Sequence, residues 1–232
     1  MKKLSIIIPV FNERRTIKKI LKKIESVQLD NIEKEIIIID DYSTDGTIEI
    51  LNKLNSKYKI FFQNKNYGKG AAVRRGFKES KGDIVLIQDA DLEYSPEDYK
   101  KLIAPIIQSD AQVVYGSRFS GGQARRVLFF WHFLGNKFLT GFSNMLTNLN
   151  LTDMEVCYKV FSREVINKIS SKLISNRFGI EPEITALIAK NKFCIYEVGI
   201  AYNGRTYKEG KKINWKDGVV AIWYIIKFNL FK

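Results

Sequence analysis

Two hydrophobic rhythms alternate along the first half of the chain. Runs of consecutive β-favouring apolar residues at positions 4–10, 35–39, 60–63, 84–87 and 111–115 read as strands buried on both faces. Between them apolar residues recur every three or four positions: Ile17, Ile20, Leu21, Ile24 and Val27; Ile48, Leu51 and Leu54; Tyr99, Leu102, Ile103, Ile106 and Ile107. That period predicts helices with one core-facing stripe. Strand–helix alternation through residue 118 predicts an α/β domain with an open, mostly parallel sheet flanked by helices.

Beyond residue 118 the pattern changes. Gly121 and Gly122 open a basic linker ending in Arg125 and Arg126, and a stretch at 129–149 rich in Phe, Trp, Leu and Met follows, enough for one or two helices. It either packs on the sheet or lies in a membrane interface with Arg125, Arg126 and Lys137 near headgroups. Residues 151–159 read as a loop leading to a short element, then come a helix with Ile184, Leu187 and Ile188 inward and a last strand at 193–198. A cationic, glycine-containing loop at 202–212 precedes an aromatic and aliphatic helix at 218–232 suited to a membrane surface. No apolar run reaches the roughly 20 residues that span a bilayer, and the first apolar run, ending at Pro9, is too short for a signal segment.

Carboxylates cluster where the strands end, which is where parallel sheets bind ligands. The run at 84–87 stops at Gln88-Asp89-Ala90-Asp91-Leu92-Glu93. In extended backbone Asp89 and Asp91 point the same way and can share a hard cation such as Mg²⁺ or Mn²⁺; the plainer reading is a solvated strand exit before the helix start at Ser95-Pro96. The second strand ends in Asp40-Asp41, able to accept from nucleobase N–H groups or ribose hydroxyls, and Asp45 reads as a helix cap. Gly68-Lys69-Gly70 before a helix is either a tight turn or a phosphate-proximal loop; neither a Walker A loop nor Gly-x-Gly-x-x-Gly is present. Arg118, after the fifth strand, sets a guanidinium at the same edge.

Composition narrows the partner. The chain has 232 residues, 45% hydrophobic and 27% charged, and a formal net charge of +13. That charge favours anions: phosphate-rich ligands, an acidic membrane or nucleic acid. A nucleic-acid-binding module would leave the acidic strand exits unexplained, because they repel a phosphate backbone. Arg14, Arg15, Lys18, Lys19, Lys22 and Lys23 fit a solvated helix face. Cys157 and Cys194 lack ligand spacing and suggest a reduced, intracellular protein; His132 has no partner at metal spacing.

Ile8-Pro9-Val10-Phe11-Asn12-Glu13, Asp40-Asp41-Tyr42-Ser43-Thr44-Asp45-Gly46-Thr47, Asn66-Tyr67-Gly68-Lys69-Gly70 and Asp89-Ala90-Asp91 together resemble the inverting family 2 glycosyltransferases of the GT-A fold. With Gly116-Ser117-Arg118, Thr152-Asp153-Met154-Glu155 and Gly204-Arg205-Thr206-Tyr207, the chain is similar to their dolichyl-phosphate mannose synthase branch. The resemblance implies one GT-A (Rossmann-like) domain over 1–217, with a nucleotide-sugar half at 1–118 and an acceptor half at 119–217, then the interfacial amphipathic helix at 218–232. It implies that Pro9, Phe11, Glu13, Asp40, Asp41, Lys69, Asp89 and Ala90 bind nucleotide. Asp89, Asp91 and Glu93 would bind Mg or Mn. Arg118, Arg126 and Asp153 would meet the acceptor, and Asp91, Arg118, Arg205 and Lys211 would serve catalysis. The implied reaction moves a hexose, foremost mannose from GDP-mannose, onto a polyprenyl phosphate at the cytoplasmic face of a membrane, with no nucleic-acid partner. UDP-sugars, or a glycan hydroxyl acceptor with Asp153 or Glu155 as base, are the alternatives. The branch's arginine and serine for the lipid phosphate are missing after the linker, where Arg126 is the nearest substitute.

Overall fold

The computed structural model describes residues 1–122, 125–127, 129–206, 209–210 and 215–231, the side chains of 215 and 216 excepted. A seven-stranded sheet runs through it in the order β3-β2-β1-β4-β6-β5-β7. Its strands are β1 (Lys2–Val10), β2 (Ile32–Asp40), β3 (Lys59–Phe62), β4 (Ile84–Ile87), β5 (Val113–Ser117), β6 (Lys159–Ser162) and β7 (Ile195–Gly199). β1 sits between β2 and β4, parallel to both, with Ile7 opposite Ile37 on one side and Ile87 on the other. That central position explains why Leu4, Ile6, Ile7 and Ile8 are all fully buried: covering helices leave neither face to solvent. Only β6 is reversed, antiparallel to both β4 and β5. The other strands therefore end on one common edge, where the acids gather.

The helices are α1 (Ile17–Ser26), α2 (Thr47–Asn52), α3 (Lys69–Glu79), α4 (Tyr99–Gln108), α5 (Phe130–Thr147), α6 (Arg163–Ile169), α7 (Ile180–Lys190) and α8 (Trp215–Leu230). Ser95 opens a 3-10 turn at Pro96–Asp98 by accepting the Glu97 N–H, as the sequence pattern predicts. Asp45 accepts the Thr47 N–H, with Gly46 between it and α2. α3 lies tight on β1: a Cβ at Gly76 would stand 2.2 Å from Ile7 Cγ2. The aromatic stretch forms the single helix α5, not two.

Two elements depart from expectation. The short element after the Asp153 loop is β6 followed by α6, and β6 is inserted between β4 and β5. Lys159 opens β6 with its ammonium buried, donating to the Met154 and Val156 carbonyls. α8 is apolar on two sides: Ala221, Ile225 and Phe228 are buried where it meets α5 and α7, while Val219, Val220, Trp223 and Leu230 are exposed. It starts before residue 218 and packs on the domain. No helix among the described residues is long and apolar enough to cross a membrane.

One cap tests how the α1–β2 turn is held. Lys34 on β2 donates from Nζ to the carbonyls of Ile24, Glu25 and Val27 at 2.7, 2.9 and 2.6 Å, closing the C-terminus of α1. Three charge-assisted bonds to otherwise open carbonyls make Lys34→Met cost about 1–3 kcal/mol in urea unfolding.

Candidate active site

The site lies along the edge where β1, β2, β4 and β5 end. After β1, Phe11 is half-buried and Asn12 takes φ 54°, which turns Glu13 inward. The Glu13 N–H donates to Thr47 Oγ1 at 3.0 Å, and its carboxylate accepts from Thr16 at 2.6 Å and from Arg205 Nη2 at 3.0 Å. Pro9, half-buried, stands beside Ile39 of β2.

Asp40 and Asp41 end β2 in different roles. Asp41 is saturated by the protein: Oδ1 accepts from Gln63 Nε2 and the Tyr67 N–H, both at 2.8 Å, and Oδ2 from the Gly68 N–H at 2.7 Å. Burial still outweighs these donors and raises its carboxyl above the ordinary value. Asp40 accepts the Ser43 N–H through Oδ2 at 2.9 Å, and its enclosed Oδ1 has no hydrogen-bond partner among the described residues. Of the two acids, Asp40 is therefore the one with unused accepting capacity.

The glycine loop is a packing device. Gly68 has φ 102°, a conformation in which any Cβ is strained, and an added Cβ would stand 2.5 Å from the Asn176 carbonyl. A Cβ at Gly70 would meet the Ser175 carbonyl at 2.5 Å. The Asn176 carbonyl also accepts the Ala71 N–H at 3.0 Å. The start of α3 is thus covered by Asp41 and by residues 175–177, which take up the N–H groups of Tyr67, Gly68 and Ala71. Lys69 itself reaches the edge, with Nζ 3.1 Å from both Asp89 Oδ1 and Glu181 Oε1. Burial works against its charge, but Asp89 and Glu181 outweigh that and hold it cationic.

Asp89 and Asp91 do not share an extended backbone. The chain turns after β4, and Leu92 takes φ 68°. Ala90 is buried in this turn. Asp89 faces Lys69, while Asp91 Oδ2 lies 2.9 Å from Arg205 Nη2. Arg205 thus gathers acids from two strand exits, Glu13 and Asp91, with Glu93 at 3.8 Å from its Nε. Burial and the charges of Asp89 and Glu93 push Asp91 up to about 7 against the opposing pull of Arg205. Glu93 is committed elsewhere: it accepts the Tyr202 hydroxyl at 3.0 Å and the Arg205 N–H at 2.8 Å. No three His, Cys, Asp or Glu side chains among the described residues gather as a metal cage. The expected trio of Asp89, Asp91 and Glu93 is not brought together, because Arg205 takes up Asp91 and lies against Glu93.

On the β5 side, Arg118 and Asp153 form a buried bidentate pair. Nε to Oδ2 and Nη2 to Oδ1 are both 2.7 Å, the Arg118 N–H adds 3.0 Å to Oδ2, and Asp153 is fully buried. Asn136 of α5 accepts from Nη2 at 3.2 Å, and the guanidinium carbon lies 5.3 Å from the Tyr202 ring. Asp153 therefore orients Arg118 and has no oxygen turned to an acceptor. Arg126 donates to Glu209 at 2.9 Å and to the Gly204 carbonyl at 3.2 Å, tying the linker to the loop that carries Arg205. Lys211 lies outside the described residues.

The sequence pairs Glu155 with Asp153 as a candidate base, and the structure separates the two. Its enclosed Oε1 has no hydrogen-bond partner among the described residues. Burial and Glu181 push its carboxyl up to about 7, against Lys159 and Arg118. A carboxyl raised in this way takes up a proton on folding, so stability is fully present below its ordinary value and is lost as pH rises towards 7. Glu155→Gln removes that loss: relative to the parent it gains on the order of 2 kcal/mol in urea unfolding at about pH 8 and little at about pH 4. Glu181, the clamp on Lys69, carried no signal in the sequence, since it lies within an otherwise ordinary amphipathic helix.

Comparison with known proteins now bears on this edge. Residues 5–170 match the sequence profile of Glycosyl transferase family 2. The chain belongs to this family. Among its relatives is a dolichol-phosphate mannosyltransferase of Pyrococcus furiosus, 30% identical across 91% of this chain and 60% of the relative. Another is a UDP-N-acetylglucosamine--dolichyl-phosphate N-acetylglucosaminyltransferase of Methanococcus voltae, 27% identical across 98% of this chain and 96% of the relative. The chain thus spans less than two thirds of the Pyrococcus protein and nearly all of the Methanococcus one. Among solved structures, glucosyl-3-phosphoglycerate synthase from Mycobacterium tuberculosis, in complex with Mn²⁺, UDP and phosphoglyceric acid, superposes with a TM-score of 0.74 at 18% identity, covering 100% of this chain and 80% of that one. This family 2 chain therefore has the GT-A fold that the motifs imply.

Proposed function

We propose that the chain transfers a hexose from a nucleotide-sugar to the phosphate of a polyprenyl phosphate, with inversion at the anomeric carbon, and that mannose from GDP-mannose is the first donor to test. Two relatives whose names specify dolichol or dolichyl phosphate support the acceptor class. The observation that carries the reading is the division of the edge. Acids gather at the ends of β1, β2 and β4, and a fixed guanidinium, Arg118 on Asp153, stands at the end of β5.

An acceptor oxygen of the lipid phosphate forms a bond to the anomeric carbon while the bond from that carbon to the donor diphosphate breaks, and the electron pair leaves with the diphosphate. A phosphate monoester, with a second pKa of roughly 6, is already anionic at neutral pH, so no proton has to move. The chain must supply cations beside the acceptor. Arg118 does so, and Asp153 keeps its guanidinium from turning away. Arg205 is placed to pair with the departing diphosphate once released from Glu13 and Asp91, and Lys211, six positions on in the sequence, is the second cation we assign to it. Asp40 accepts from the nucleoside, with Pro9 and Phe11 beside it; Asp41 supports the loop before α3, and Lys69 holds Asp89 in place.

The donor set fits a divalent ion. Burial first, and then the charges of Asp89 and Glu93, raise Asp91, and hard oxygen ligands such as these two carboxylates suit Mg²⁺ or Mn²⁺. Asp89 and Asp91 would hold it. Bound there, it would neutralise charge developing on the diphosphate.

A second reading, transfer to a glycan hydroxyl, requires a carboxylate base. Glu155, and not the committed Asp153, is the residue that suits it. Incubation with labelled GDP-mannose, UDP-glucose and UDP-N-acetylglucosamine in parallel, with Mn²⁺ and a short polyprenyl phosphate, tests the proposal. It expects one donor to place its label in the organic phase. Turnover only with a glycan acceptor favours the second reading.

A further inference from the structure

A cavity of about 270 Å³ opens beside the Tyr202 segment, which bridges Tyr94 on one flank and Arg125 on the other. Lys23 from α1 and Arg125 and Arg126 from the linker line it, with Ser95 and Asn203 adding polar groups. The one acid on its wall among the described residues, Glu93, is taken up by Tyr202 and Arg205, and Arg126 also pairs with Glu209. Three cations from segments about a hundred residues apart thus converge on one small space. Its volume lies just below the range of roughly 300–1,000 Å³ typical of drug-sized ligands, which suits a compact polar anion better than a nucleotide.

What adjoins the cavity names the anion. The two arginines run straight into an exposed apolar stretch in which Val127 is 89% exposed, Phe130 63% and Trp131 77%. Farther along α5, Leu134, Phe138 and Met145 are exposed too. Arg125 and Lys137 lie over the Phe119 ring, at 5.9 and 5.1 Å, so cations border the apolar surface. Aromatic residues enter the interfacial layer of a bilayer, and basic residues beside them meet its phosphates.

We propose that this cavity, which borders the donor edge at Glu93, is a headgroup site for an anionic phospholipid, occupied when Val127, Phe130 and Trp131 enter the bilayer interface. The phosphodiester is held by Lys23, Arg125 and Arg126, with Ser95 and Asn203 as hydrogen-bonding neighbours. Because Arg126 also holds the Gly204 carbonyl and Glu209, the bound headgroup pins the linker against the loop that carries Arg205.

The test is co-sedimentation of the full chain with vesicles of phosphatidylcholine alone or mixed with phosphatidylglycerol, without donor, so that it reads independently of transferase activity. The parent is expected to bind the mixed vesicles and not the neutral ones. Lys23→Glu is expected to weaken that binding on the order of thirtyfold, from about 1 kcal/mol for the charge removed and as much again for the opposite charge added. Lys22→Glu, which makes the same change in net charge on the same helix outside the cavity, is expected to stay within about twofold of the parent. Equal losses in the two variants, no loss in Lys23→Glu, or equal binding to neutral vesicles overturns the proposal. Lys23→Gln, which only removes charge, is expected to fall between parent and Lys23→Glu, so a misfolded reversal does not decide the matter. Displacement from vesicles by inorganic phosphate, but not by chloride at matched ionic strength, assigns the cavity to free phosphate and overturns the lipid assignment. A dimer in vesicle-free buffer that Trp131→Glu splits gives the aromatic stretch a second copy of the chain as its occupant and likewise overturns it.

Discussion

Asp89→Ala/Asp91→Ala loses sugar transfer to the lipid phase by on the order of 10³-fold or more, because it removes both carboxylates assigned to the metal at the point where leaving-group charge develops. The same variant separates binding from folding. In the parent, Mn²⁺ at about 100 times its dissociation constant adds roughly 2.7 kcal/mol of stability, since it binds the folded chain alone. The double variant keeps its fold and shows no such gain, and it also frees Arg205 and Lys69 of one acid each. Thermal unfolding with and without Mn²⁺ checks this part of the account without any donor. A metal-dependent gain in the double variant would move the ion to other ligands.

Asp153→Ala is the costliest single change expected. It leaves the Arg118 guanidinium, 11% exposed, without its bidentate partner, and breaking a buried pair from one side costs about 3–5 kcal/mol. Urea unfolding measures that loss. Arg118→Met/Asp153→Leu removes both charges and regains most of the stability, because the desolvation cost leaves with the pair. Transfer does not return, since the acceptor phosphate has lost its cation. Recovery of transfer in the apolar pair would confine Arg118 to a structural role.

The division between these residues follows from what local pattern can encode. Buried strands announce themselves as apolar runs, and the positions of β1, β2 and β4 were readable to within a few residues, as was the acidic edge they create. β6 was missed as a sheet strand because it opens on a lysine, whose ammonium is buried only by finding the Met154 and Val156 carbonyls. The side-by-side placement of Asp89 and Asp91 rests on extended backbone, and the chain turns at Ala90 and Asp91 instead. The glycine loop keeps two readings in sequence because glycine serves close packing and anion approach equally, and the carbonyls of residues 175–177, remote in sequence, are what make the close packing visible. Pairings across the chain were not legible at all. Arg205 meets Glu13 across 192 positions, and Arg118 meets Asp153 across 35, contacts set by tertiary packing. Asp153 and Glu155, two residues apart, look interchangeable in sequence; burial beside Arg118 commits the first and leaves an oxygen of the second without a hydrogen-bond partner among the described residues.

The central claim is that the nucleophile is a phosphate oxygen on a lipid. Its most direct test gives the enzyme a labelled nucleotide-sugar with equal amounts of a polyprenyl phosphate or the same polyprenol lacking the phosphate, and counts label in the organic phase. The account predicts label with the phosphate and none with the alcohol. Equal transfer to the alcohol, or transfer only to a water-soluble glycan, would contradict it and make Glu155 the residue to examine as the base.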